Sequence, residues 1–114
     1  MIVGNTIATL AEAVCLAEKA GIDATILPKV FAGGSADSML LQFFGAKMAA
    51  HQLNQSGTKM HTVLKDLDTA TELGRQLSSS LPMANTAAEL IRLATSQGLA
   101  DGDITQLIKL YSKN

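Results

Sequence analysis

Tryptophan is missing from this chain, and aromatic residues make up only 4% of it. With so few rings, Ala and Leu must fill the interior, a composition suited to closely packed helices. A basic stripe is also missing. The formal net charge is −1 and the nine Lys and Arg are scattered, so nothing is arranged to release phosphate counterions, and nucleic acid is excluded as a partner. The single cysteine, Cys15, rules out an internal disulfide and fits a reducing, cytoplasmic setting, where it reads as a small buried hydrophobe. No long apolar run exists either. The opening "MIVGNTIATLAEAVCLAEKAG" has no basic leader, Glu12 interrupts it, and an anchor needs about twenty uninterrupted apolar residues, so both a targeting segment and a membrane role are set aside.

Sustained period-2 alternation is lacking, as is any Asn-Gly or Asp-Gly hairpin. What remains is helical. A hydrophobic share of 47% against 17% charged describes a folded globular chain, with residues 1–114 expected as one domain. Over 2–20 the spacing puts Val3, Ile7, Leu10, Val14 and Ala17 on one stripe and Asn5, Thr9, Glu12 and Lys19 on another, before Gly21 stops the helix. Asp23 is a candidate cap for a second helix that begins properly only at Pro28. "AGGSADS" (32–38) ends it and offers Ser35, Asp37 or Ser38 as the next cap. A third helix is predicted over about 38–52, then the loop "LNQSG" (53–57).

"HTVLKDLDTATELGRQL" (61–77) follows, with Met60, Val63, Leu64, Leu67, Ala70, Leu73 and Leu77 at helical steps. "SSSLP" breaks the chain and Pro82 suits the first turn of a fifth helix, striped by Met83, Ala87, Leu90, Ile91 and Ala94 and closed by Gly98. Asp103 and Gln106 have the spacing of a capping box for a last short helix carrying Ile104, Leu107, Ile108 and Tyr111. The expectation is an all-α fold of about six helices. Met39, Leu40, Phe43, Phe44 and Met48 read first as core, with a partner subunit as the other place for some of them.

Little of this is overtly chemical. No Gly-x-Gly-x-x-Gly follows a strand, so no dinucleotide cradle is encoded. His51 and His61 lie in different elements without the further ligands of a zinc site, and no metal is expected. Serines 78–80 lack nucleophile-elbow glycines, and nothing in the spacing pairs Glu12 with Asp66 as acid and base.

Function enters through a resemblance. "LAEAVCLAEKAGID" (10–23), "KDLDTATELGRQLSSSLP" (65–82) and "GLADGDITQLI" (98–108), in that order, resemble the C-terminal domain of the β-hydroxyacid dehydrogenases. That family includes 3-hydroxyisobutyrate dehydrogenase and 2-hydroxy-3-oxopropionate (tartronate semialdehyde) reductase. The resemblance implies a helical bundle like the C-terminal domain of 6-phosphogluconate dehydrogenase. It also implies a Rossmann domain, absent from these 114 residues, that holds NAD or NADP.

The family's catalytic lysine belongs to a Lys-x-x-Asn stretch that would fall just before Met1. Asn5 and Lys19 lie too far along the helix to replace its members. No catalytic residue is therefore expected here, and no turnover or tight cofactor binding by the chain alone. The family residue that carries over is Lys65, which the resemblance directs toward the nicotinamide end of the cofactor and the substrate carboxylate. Its polar strip continues through Asp68, Thr69, Glu72 and Gln76, and the plainer reading of that strip is a solvated face. Glu12 is expected to order backbone or pair with a base. The expected partners are the Rossmann domain and further copies of the chain. The alternative is a free-standing helical dimerisation module. Substrate identity and the choice of NAD or NADP belong to the other domain.

Overall fold

The computed structural model describes residues 1–111. Six helical segments and no strand make up these residues, with one isolated antiparallel bridge between Lys59 and Asp103. Helix α1 (Ile2–Lys19) is the spine against which α4, α5 and the terminal helix pack. Its buried face is Gly4, Ile7, Ala8, Ala11, Val14, Cys15 and Ala17. Val3, expected inside, is exposed and Leu10 is half-buried. The smallest residues took the contact because they let neighbouring backbones approach. A Cβ at Gly4 would stand 2.9 Å from Cδ1 of Leu67, which is fully buried. α1 ends as expected, with Gly21 at φ +79° and Ile22 N–H donating to Ala17 O at 2.9 Å.

Asp23 caps a 3-10 turn (Ala24–Ile26), accepting from Thr25 N–H at 3.0 Å, and α2 (Leu27–Phe31) follows with Pro28 in its first turn. Of the three candidate caps beyond it, Ser38 serves: its Oγ accepts from Leu41 N–H at 2.9 Å. Asp37 instead closes its own loop, accepting from Gly33 N–H, Ser38 N–H and Gln42 Nε2. Helix α3 (residues 39–49) opens behind that cap, runs through a π-turn (Leu41–Gly45) and ends in one α-turn (Ala46–Ala49), shorter than the sequence spacing predicts. Leu41, Phe44 and Met48 are buried, whereas Met39 is 88% exposed and Phe43 lies at the surface beneath the Lys47 ammonium.

Helix α4 (Met60–Gln76) and helix α5 (Pro82–Ala94) form the principal pair. The buried stripe of α4 is Met60, Val63, Leu67, Thr71 and Gly74, which corrects the expected one. Leu73 and Leu77 are 54% and 68% exposed. The returning loop decides this: a Cβ at Gly74 would meet Leu81 Cδ1 at 2.7 Å and Ser79 O at 3.0 Å, so the chain turns back across the glycine and not across the leucines. On α5 the stripe likewise runs through Ala84, Ala87, Ala88, Ile91 and Ala94, and Met83 is exposed.

A π-turn (Thr95–Leu99) with Gly98 at φ +89° ends α5, and a 3-10 helix (Ile104–Leu110) closes the described chain. The capping box does not form. Asp103 caps the last helix through Thr105 N–H, but the Gln106 side chain reaches away to Leu53 O and Asn54 Oδ1. Ile7, Met48, Met60, Leu67, Ile91, Ile104, Leu107 and Ile108 meet at the centre, each burial worth roughly 1.5–3 kcal/mol before entropy. No described helix is long and apolar enough to cross a membrane.

Candidate functional site

Lys65 lies in the second turn of α4, and the bundle fixes that turn from three sides. In front, the helix start is tied down by long-range backbone bonds. Met60 N–H donates to Gly102 O at 2.8 Å, His61 N–H to Ala100 O at 3.1 Å, and Ile104 N–H returns to Thr58 O at 2.8 Å. These satisfy donors that a helix N-terminus otherwise leaves open. Behind, Val63 and Leu67 are buried, and Gly4 of α1 seats against Leu67. Below, α5 runs alongside. The first turn of α1 therefore stands next to the part of α4 that carries Lys65.

Lys65 itself is exposed, and among the described residues it forms no ion pair. Its backbone carbonyl accepts from Thr69 Oγ1 at 2.9 Å. The polar strip continues as an open depression of about 490 Å³ lined by Asp68, Thr69, Glu72, Leu73 and Gln76. Both carboxylates in it are occupied by arginines. Asp68 Oδ1 accepts from Arg92 Nη2 of α5 at 2.6 Å, and Glu72 Oε2 accepts from Arg75 Nη2 at 2.6 Å. The hydrogen bond to Asp68, and then its charge, raise the pKa of the Arg92 guanidinium. A cation left unpaired beside neutralised carboxylates can receive an anionic ligand from outside the chain.

The other residues singled out from the sequence scatter. Glu12 is exposed in a groove of about 210 Å³ between α1 and α5, lined also by Asn5, Thr9, Thr86 and Leu90. It pairs with no base among the described residues. Its carboxylate acts instead on Tyr111. Burial first, and then the Glu12 charge, push the Tyr111 hydroxyl up to about 12. Cys15 is buried with Sγ donating to Ile108 O at 3.6 Å, and burial followed by Glu18 raises its thiol pKa. His51 bonds Glu18 (2.7 Å) and His61 lies 3.8 Å from Asp101, at separate places. Among the described residues no three His, Cys, Asp or Glu side chains converge as a metal site would require.

Sequence reasoning missed the Asp68–Arg92 pair, whose members are 24 positions apart and on different helices. It also missed the reach of Asp103, which accepts from Ser56 N–H and Oγ as well as from Thr105 N–H and Oγ1, joining two loops. Neither has a local signature, since each depends on how distant elements dock.

Among the described residues the chain is thus an all-α bundle with a single, exposed lysine on α4. The chain belongs to the family described as "NAD-binding of NADP-dependent 3-hydroxyisobutyrate dehydrogenase", whose model matches residues 1–111. It is 31% identical over 109 residues to glyoxylate/succinic semialdehyde reductase 2 of Arabidopsis thaliana, covering 96% of this chain and 30% of that protein. It is 30% identical to 2-hydroxy-3-oxopropionate reductase of Escherichia coli, covering 96% and 37%. The chain thus spans about a third of the length of the curated relatives it matches. The fold superposes on 3-hydroxyisobutyrate dehydrogenase of Salmonella typhimurium with a TM-score of 0.89 at 24% identity, covering 96% of this chain and 38% of that one.

Proposed function

We propose that these residues are the C-terminal helical domain of an NAD(P)-dependent β-hydroxyacid dehydrogenase, forming one wall of a cleft whose nucleotide-holding wall is a Rossmann domain outside this sequence. The observation that carries this is the seating of Gly4 on Leu67, which sets the start of α1 beside the Lys65 turn. In the family resemblance the proton-donating lysine lies just ahead of that start. We read the two lysines as flanking one mouth. Exposed Met1, Ile2 and Val3 at the same end supply the apolar surface that a second lobe covers.

Within that cleft the cofactor supplies hydride chemistry, and this chain supplies binding and orientation. The Lys65 ammonium, on a flexible stem, meets an anionic group of the cofactor or the substrate carboxylate, while α4 stays anchored through Val63 and Leu67. No nucleophile or acid/base pair is assembled among the described residues, and on this reading the chain alone turns nothing over. The exposed apolar residues of α2 and α3, including Val30, Phe31 and Met39, are the surface we assign to contacts with further copies of the enzyme.

The test is Lys65→Ala in the longer protein that carries this chain. Loss of a charge-assisted contact raises the KM for NAD(P)H or for the acid substrate about tenfold. Unchanged kinetics would return Lys65 to the solvated face. A second test is NADPH oxidation with succinic semialdehyde by the pure 114-residue chain; any turnover refutes the assignment.

A further inference from the structure

We infer that Arg92 is a positioning residue for Lys65: by occupying the Asp68 carboxylate from the neighbouring helix, it keeps the lysine free for an anionic ligand. The inference rests on the reading of Lys65 given above, and it adds a residue that the Lys-Asp-Leu stretch does not contain.

Lys65 and Asp68 are three residues apart on one helix, the separation at which oppositely charged side chains meet. On an isolated α4 these two would pair. In the bundle they do not, because the Arg92 Nη2 donates to Asp68 Oδ1 at 2.6 Å and Arg92 Nε also lies 3.4 Å from Glu89. The competition is uneven. Arg92 arrives from a helix held rigidly by buried Ala88 and Ile91, and its planar fork loses less freedom on bonding than a lysine stem does. Glu72, the next carboxylate along the strip, is bound in the same way by Arg75. Asp68 and Glu72, the two carboxylates of the strip, thus each hold an arginine, and Lys65, like Asp66 beside it, has no ion-pair partner among the described residues.

The consequence is electrostatic as well as steric. Without Arg92, Asp68 either captures the lysine, or, where it does not, presents an uncompensated negative charge to an incoming phosphate or carboxylate. The effect is small per contact because the pair is open to solvent, and ionic strength weakens it.

Two measurements separate this inference from the cofactor reading. On the 114-residue chain, acylation of Lys65 by an N-hydroxysuccinimide ester, followed by peptide mass mapping, reads how free the amine is. We expect Arg92→Ala to slow it about twofold, and the double change Asp68→Asn with Arg92→Ala to restore the original rate. A merely structural role for Arg92 gives no such restoration. An unchanged rate in Arg92→Ala, or a slowed rate that Asp68→Asn fails to rescue, overturns the inference whatever Lys65 binds. In the longer protein the same pair of variants should raise the dinucleotide KM about threefold and then bring it back, with kcat unchanged. If acylation follows the expected pattern while this KM does not move, the positioning stands and the cofactor reading fails.

Discussion

Gly4 and Leu67 touch without a side chain between them: a Cβ on the glycine would lie 2.9 Å from Cδ1 and 3.0 Å from Cγ of the leucine. Leu67 is fully buried, so its displacement costs packing. Gly4→Val should destabilise the chain by about 2 kcal/mol, the ordinary cost of overpacking, and lower Tm by several degrees. Gly4→Ala gains about 1 kcal/mol of helix propensity and should end near neutral. Thermal unfolding followed at 222 nm checks both.

Gly74 is the stricter case. Its virtual Cβ meets a backbone oxygen, Ser79 O, at 3.0 Å in addition to Leu81 Cδ1 at 2.7 Å. A leucine tip can swing away, but a carbonyl held in a turn cannot. Gly74→Ala should therefore cost more than Gly4→Ala, on the order of 1–3 kcal/mol. Equal stability of the two alanine variants would refute the distinction.

Asp103 makes stability fall in acid. Burial acts to raise its pKa, but the bonds from Thr105 and Ser56 outweigh burial and lower it. A carboxylate whose folded pKa is depressed contributes stability above its unfolded value, near pH 4, and loses it as pH drops through the folded value. Asp103→Asn should flatten the stability profile below about pH 4, and Asp103→Ala should cost roughly 1–2 kcal/mol at neutral pH as a lost cap. Urea unfolding at several pH values reads both.

Tyr111 acts at the other end of the scale. It is the only tyrosine, and its hydroxyl is buried with no hydrogen-bond partner among the described residues. Burial, then Glu12, push it up to about 12. A group whose folded pKa is raised contributes fully below its unfolded value of about 10 and loses that contribution as pH rises toward the folded one. Phenolate absorbance should thus appear near pH 12 in the native chain and near 10 in urea. Tyr111→Phe, which removes an unsatisfied group, should leave neutral-pH stability unchanged or raised.

Cys15 offers an independent readout. As the one thiol, buried and with its pKa raised, it should react with a disulfide reagent only through opening of the bundle. Reaction as fast in the native chain as in denaturant would contradict its burial.

The helices were legible because their starts and stops are local: Pro28 and Pro82 open helices, and Gly21 and Gly98 close them, where the sequence puts them. Their faces were less so. Periodicity favoured Leu73, Leu77, Val3 and Met83 for the core, yet glycine and alanine won those contacts because closeness of approach outweighed the size of a side chain. The fold assignment fared better: the resemblance seen in three motifs was supported along nearly the whole chain. Lys65 was singled out through its motif and stays a proposal, whereas the Arg92 pair and the Gln106 contacts with Leu53 and Asn54 come only from tertiary docking.

Because residues 100–104 supply the acceptors and the bridge that secure the start of α4, the helix bearing Lys65 is finished by its far downstream neighbour. A ribosome releasing this chain from its amino end delivers Met60 and His61 some forty residues before the carbonyls they require. Fastening of the turn that carries Lys65 therefore waits on residues 100–104, and removing them leaves that turn unfastened although every residue of it is present.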